Sequence, residues 1–234
     1  MLRELLGQPP RRMGGLLAGA MDRMAEMAAL LRREMEERED RDHVFRKLDV
    51  WTRGLMVSLD ELEETLFAAT FYRNKVRSGY MDEMSPAERA DYARYVYFYK
   101  NGFIRVFSLL DKLGTVLNAL YDLNTSKVKS HFSYFTVLRQ LQTVKEHDEL
   151  LRRLNAIKDR YRDPLHHLRK RRNAEVHYMN SEMVDDLWQR HQGLHDRLRL
   201  EDLDGHLQDL RQGLEMVCDT IHTAYGYTLK RWKK

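Results

Sequence analysis

Apolar residues recur at steps of three and four almost throughout the chain. Leu17, Met21, Met24, Ala28, Leu31 and Met35 form a narrow stripe like a coiled-coil seam. Leu48, Trp51, Leu55, Leu59, Leu62 and Leu66 repeat that step in a second segment, predicted to run from about 43 to Ser78-Gly79 with Gly79 as its C-terminal cap. Ser85-Pro86-Ala87-Glu88 reads as a helix start, with Ser as N-cap, Pro at the first position and Glu closing a capping box. A long helix to about Leu123 follows, carrying Tyr92, Tyr95, Tyr99, Phe103, Val106, Leu110, Leu113 and Leu117. Shorter pieces are predicted around 133–142 and 147–160. Asp163-Pro164 opens a helix through about Tyr178, with Asp as N-cap. A further piece is expected over 182–198, and a last helix from Gly205 with Leu207, Leu210, Leu214, Val217, Ile221 and Tyr225 on one face.

No alternating strand of useful length interrupts this pattern. The expected fold is therefore all-α, with long helices from 43, 85, 164 and 205 forming a bundle over 43–234. Residues 1–42 read as an N-terminal helical appendage, ending in the charged run Glu36 to His43. Its Met-rich stripe serves either the chain's own bundle or a dimer or partner surface. Its polar face mixes Asp22, Arg23, Glu26, Arg32, Arg33 and Glu34, without the basic bias of a membrane-surface helix.

Composition narrows the function classes. Twelve glycines and four prolines in 234 residues are few for a sandwich, a barrel or a Gly-rich phosphate-binding fold. With 32% charged and 43% hydrophobic residues the chain is neither disordered nor built for a bilayer. The apolar run after Arg11-Arg12 stops at Asp22-Arg23, too short for a spanning helix. The single cysteine, Cys218, excludes an internal disulfide and a thiolate metal site. The expected location is the cytoplasm.

The net charge is +4, but it is unevenly distributed. From Leu151 to Arg172, nine basic residues face only Asp159 and Asp163, a local charge of +7. Such concentration suits a polyanion; the plainer alternative is a solvated helix face. At its end stands Arg172-Asn173-Ala174-Glu175-Val176-His177-Tyr178. On a helix Arg172 and His177 lie about 140° apart and about 7.5 Å along the axis. Arg172 leans toward the apolar side, while His166 aligns with Asn173 and His177. A half-buried arginine needs an acidic partner or a bound anion, since its charge cannot be titrated away.

Asp111 sits on a face with Ile104, Phe107 and Gly114, with no base three or four residues away. It is expected to be less than half exposed and to pair with a base on another helix, Arg172 first. His191 and His195 have the spacing of two ligands on a helix, but no HExxH or carboxylate cluster accompanies them. No metal site and no cofactor are expected.

The segment Arg172-Asn173-x-x-x-His177 resembles the R-x4–6-H signature of HEPN domains, in which Asn often follows the Arg. Phe98-Tyr99-Lys100-Asn101-Gly102-Phe103-Ile104-Arg105 and Ser108-Leu109-Leu110-Asp111-Lys112-Leu113 are similar to the long helix of a bacterial subgroup of uncharacterised HEPN proteins. The resemblance covers roughly 43–230. It implies a metal-independent endoribonuclease acting as a homodimer, with two motifs forming one RNA-cutting cleft, in a toxin or phage-defence setting. His177 would move the proton, Arg172 would hold the scissile phosphate and Asn173 would orient one of them. Asp111, Tyr178 and His166 would support the site, and Arg162, Arg169, Lys170 and Arg171 would bind RNA. An antitoxin protein is a further partner the resemblance implies. HEPN toxins controlled by a nucleotidyltransferase carry R-x4-H-x-Y; here Tyr178 follows His177 directly and Met179 takes the tyrosine's place. The alternative is a non-catalytic HEPN-fold module that binds nucleotide, RNA or protein.

Overall fold

The computed structural model describes residues 2–12, 14–38, 40, 42–125, 132–177 and 199–232. Among these residues the regular structure is helical: α1 (Leu2–Leu5), α2 (Gly15–Glu37), α3 (Val44–Arg73), α4 (Pro86–Leu120), α5 (Tyr134–Leu141), α6 (Asp148–Arg160), α7 (Arg162–His177) and α8 (Leu203–Trp232). The β pairing found among them is one isolated bridge, Tyr80 to Arg199, beside a Leu200 N–H donating to the Gly79 carbonyl at 2.9 Å. The all-α expectation holds, and the four long helices start within two residues of their predicted positions. No helix among the described residues is long and apolar enough to cross a membrane. The predicted piece over 182–198, with His191 and His195, and also Tyr178, lie outside the described residues.

Three boundaries differ from the sequence reading. Helix α3 ends at Arg73, not near Gly79. Its end is closed by tighter bonds from Lys75 N–H to the Tyr72 carbonyl and from Val76 N–H to the Arg73 carbonyl, both 3.0 Å, which turn Val76 into the core. Ser85 does cap α4, its Oγ accepting from the Glu88 N–H at 3.2 Å. The Glu88 carboxylate does not complete a capping box: it reaches back across the loop to Arg77 N–H, Ser78 N–H and Ser78 Oγ. Those bonds, the Ser78 N–H foremost, hold its pKa below the usual value. Helix α7 begins at Arg162, so Asp163 and Pro164 sit inside its first turn rather than at its threshold.

The described residues form two compact units, each drawn from three stretches of chain. Unit 1 comprises residues 1–11, 62–105 and 163–213; unit 2 comprises 12–61, 106–162 and 214–234. The stretch 1–42 is thus divided between them.

Unit 2 is built around fully buried Met24, Leu31, Leu55, Leu59, Leu109, Leu110, Val217, Ile221 and Tyr225. Each contributes roughly 1.5–3 kcal/mol by leaving water. The Met-rich stripe therefore serves the chain's own core: Met24, Met27, Ala28 and Leu31 are buried, and Gly19 brings α2 close to the His222 ring on α8. Gly114 is required on α4, because a Cβ there would lie 3.2 Å from the Tyr134 Cα as α5 passes over it. Two hydroxyl pairs join its helices, Thr52 with Tyr225 at 3.1 Å and Tyr121 with Thr228 at 2.6 Å. Cys218 is buried, and burial pushes its thiol up to about 12, so it is unreactive at neutral pH.

In unit 1 the buried rings Tyr95, Tyr99 and Phe103 run along one side of α4. The Tyr95 hydroxyl donates to the Leu203 carbonyl at 3.1 Å, and Gly102 leaves the room that Leu210 of α8 fills. At the N-terminus Arg3 bridges Glu63 and Glu64 of α3 and lies 4.1 Å over the Phe67 ring.

Candidate functional site on helix α7

Helix α7 carries Arg172, Asn173 and His177 together, and all three lie in unit 1. The helix buries only Pro164, Leu165 and Leu168, all in its first half. Its second half cannot be held by the hydrophobic effect and is held by charge instead. Arg171 donates to Asp209 of α8 at 2.9 Å, with both side chains under one-fifth exposed, and His167 Nδ1 lies 3.2 Å from the same carboxylate. One turn on, Glu175 meets Lys100 of α4 at 2.9 Å. These contacts set the direction in which the motif points.

Helical geometry sorts the remaining side chains. His166, Lys170, Asn173 and His177 fall along one line of the helix, within about 60° of each other. His166, Lys170 and His177 are exposed and Asn173 is half-buried. Arg169 lies between that row and the packed face, Arg172 lies on the packed side between Leu165 and Leu168, and both are half-buried. Burial first, and then the Arg172 charge, lowers the Arg169 pKa.

The other sequence-predicted residues divide. Arg171 is engaged inside the fold, paired with Asp209 and 5.9 Å from the Tyr99 ring centroid. Of the basic run, Arg153 pairs with Glu149 and Arg160 with Asp219, so part of the local charge of +7 is neutralised by acids distant in sequence or one turn away. Arg162 is exposed and belongs to unit 2. Asp111 is half-buried as expected and also belongs to unit 2. Its Oδ1 accepts the Tyr134 N–H at 2.8 Å, at the first turn of α5, where Ser133 caps the Thr136 N–H. Asp111→Ala is expected to lower stability by about 1–2 kcal/mol through the freed helix N-terminus, measured by urea unfolding.

Sequence reasoning missed Asp209, His206 and Tyr99 as the support of α7. The nearest signal was polar residues interrupting the apolar face of the last helix. His206 is buried, stacked on Tyr99 with centroids 5.2 Å apart, and its Nε2 lies 3.4 Å from Glu201. Burial, and then the Arg171 charge, pushes its pKa down to about 4, against the raising influence of Asp202 and Asp209. Between that value and the ordinary 6.5 the unfolded chain binds a proton that the folded chain refuses. The stabilising contribution is full above the ordinary value and is lost as pH falls toward the lower one. Melting temperature is expected to drop over that window, and His206→Phe, which keeps the stack, should flatten the slope.

Among the described residues no group of three His, Cys, Asp or Glu is placed to hold a metal ion. The family model of Cthe2314-like HEPN domains matches residues 51–229, which takes in α7 and the whole motif. The chain belongs to the HEPN superfamily. No curated protein and no solved structure matches it. In this HEPN domain Arg172 and His177 sit in the second half of α7, the part held in place by charge.

Proposed function

We propose that this HEPN domain is a metal-independent endoribonuclease, working as a homodimer whose two α7 helices form one RNA cleft. The observation that carries the reading is the intact pair of Arg172 and His177 on one helix, with His177 exposed at its last residue and Arg172 beside Arg169. Imidazole is the side chain whose ordinary titration range brackets neutral pH, which suits moving a proton between a ribose 2′-OH and a leaving oxygen. His177 takes and returns that proton. Arg172, with Arg169 behind it, holds the scissile phosphate and stabilises its growing charge. Asn173 and His166, on the same line of the helix, contact the strand, and Lys170 adds backbone affinity. The products are a 2′,3′-cyclic phosphate and a 5′-hydroxyl.

Exposed Val176 and Ile104 lie next to the Lys100–Glu175 pair and supply apolar surface for a second copy. A toxin or phage-defence role in the cytoplasm, with an antitoxin protein as partner, is the setting we propose for this activity, in keeping with the HEPN family match. The test is cleavage of a mixed single-stranded RNA pool by the purified protein in EDTA. Cutting should persist in the chelator, leave cyclic phosphate ends, and fall steeply with salt.

A further inference from the structure

Besides the buried tyrosines of α4, unit 1 carries a second aromatic row at its surface. Phe67, Phe71, Tyr72, Phe98 and Tyr97 touch in that order, with centroid separations of 6.3, 5.2, 5.8 and 5.2 Å. None of the five is buried, and Tyr97 is 63% exposed. Cations lie over the rings: Lys75 Nζ is 4.4 Å from the Phe71 centroid and 5.6 Å from that of Tyr72, and the Arg94 guanidinium is 5.6 Å from Tyr72. Arg94 also pairs with Asp91 at 2.8 Å, whereas Lys75 and Arg77 are exposed beside the row. Arg3 covers the Phe67 end. The Tyr97 end is open.

That open end leads to the motif. Tyr97 stands one helical turn before Lys100, whose Nζ is 2.9 Å from Glu175, and Glu175 is two residues before His177. We propose that the row is a stacking platform for single-stranded RNA, delivering the strand to α7. The direction of delivery rests on the ribonuclease reading; the binding itself does not. Every base has a π-face, so the exposed Tyr97 ring, backed by the half-buried rings behind it, holds an unpaired base whatever its sequence, while neighbouring lysine and arginine meet the phosphates. Duplex RNA keeps its bases stacked inside the helix and offers none to such a row. Lys75 favours RNA over a protein occupant, because lysine is depleted from the core of protein interfaces even where aromatic rings and arginine are enriched.

The test titrates a fluorescein-labelled single-stranded RNA, and the same RNA annealed to its complement, against the His177→Ala protein in EDTA, read by anisotropy. Adding Tyr97→Ala should weaken single-strand binding roughly tenfold and leave duplex binding unchanged. Tyr97→Phe should bind like the parent, since the ring is kept. Lys75→Gln should reduce the slope of log affinity against log salt by about 0.7. Unchanged affinity in Tyr97→Ala overturns the proposal, as does an equal loss in Tyr97→Phe. A change in sedimentation with unchanged RNA affinity would instead make the row a protein contact. Wild-type protein that fails to cut RNA removes the ribonuclease reading and leaves this binding test intact.

Discussion

His177→Ala is expected to remove RNA cleavage while RNA binding survives nearly unchanged. The side chain is exposed at the last residue of α7, so its loss opens no cavity and strips no core contact. Surface changes of this kind stay within roughly 0.5 kcal/mol of neutral, and the protein remains folded. What disappears is the proton carrier, a contribution of about 10²–10⁴ in rate. On the proposed reading, phosphate affinity rests on Arg169, Lys170 and Arg172, which the substitution leaves in place. Arg172→Ala is expected to lower both binding and cutting. Single-turnover cleavage and anisotropy on one RNA separate the two effects. If wild type and His177→Ala cut alike, the ribonuclease reading fails and the non-catalytic HEPN module replaces it.

Asp209→Ala is expected to produce the largest loss of stability. One carboxylate holds both Arg171 and His167, and the ion pair with Arg171 is mostly withdrawn from water. Removing it leaves a guanidinium buried against Tyr99 with its carboxylate gone. The cost is about 2–4 kcal/mol, or a fall of roughly 5–15 °C in melting temperature for a chain of this size. Asp209→Asn keeps one acceptor and should lose about half as much. Adding Arg171→Met to Asp209→Ala should recover much of the stability, because it removes the stranded charge rather than a contact. Cleavage by Asp209→Ala should fall even below its melting temperature, since the second half of α7 has no apolar anchor. A double-mutant cycle by thermal melting, with cleavage assayed at a temperature where all variants are folded, checks both claims.

The helices were readable because their signals are local. Spacing of three and four places Leu207, Leu210, Leu214, Val217, Ile221 and Tyr225 on one stripe, and all six are buried. Ser85 and Pro86 mark a start because a hydroxyl and a fixed φ act within one turn. Boundaries set by distant contacts were not readable. Glu88 leaves its capping role for the N–H groups of Arg77 and Ser78, and α3 stops at Arg73 so that Val76 can be buried. The charge of the run from Leu151 to Arg172 was legible as a sum but not in its distribution. Asp209 and Asp219, far along the chain, neutralise Arg171 and Arg160.

The amino-acid sequence alone determined the helical class, the long helices and the presence of Arg172, Asn173 and His177 on one of them. Each of these follows from periodicity or from a motif within two turns. The tertiary structure decided which charges pair within the fold and what holds α7 in place. It assigned Arg171 to Asp209 and Asp111 to the first turn of α5, and it left His177 exposed. Pairing between residues tens of positions apart depends on how helices cross, and no local spacing encodes that.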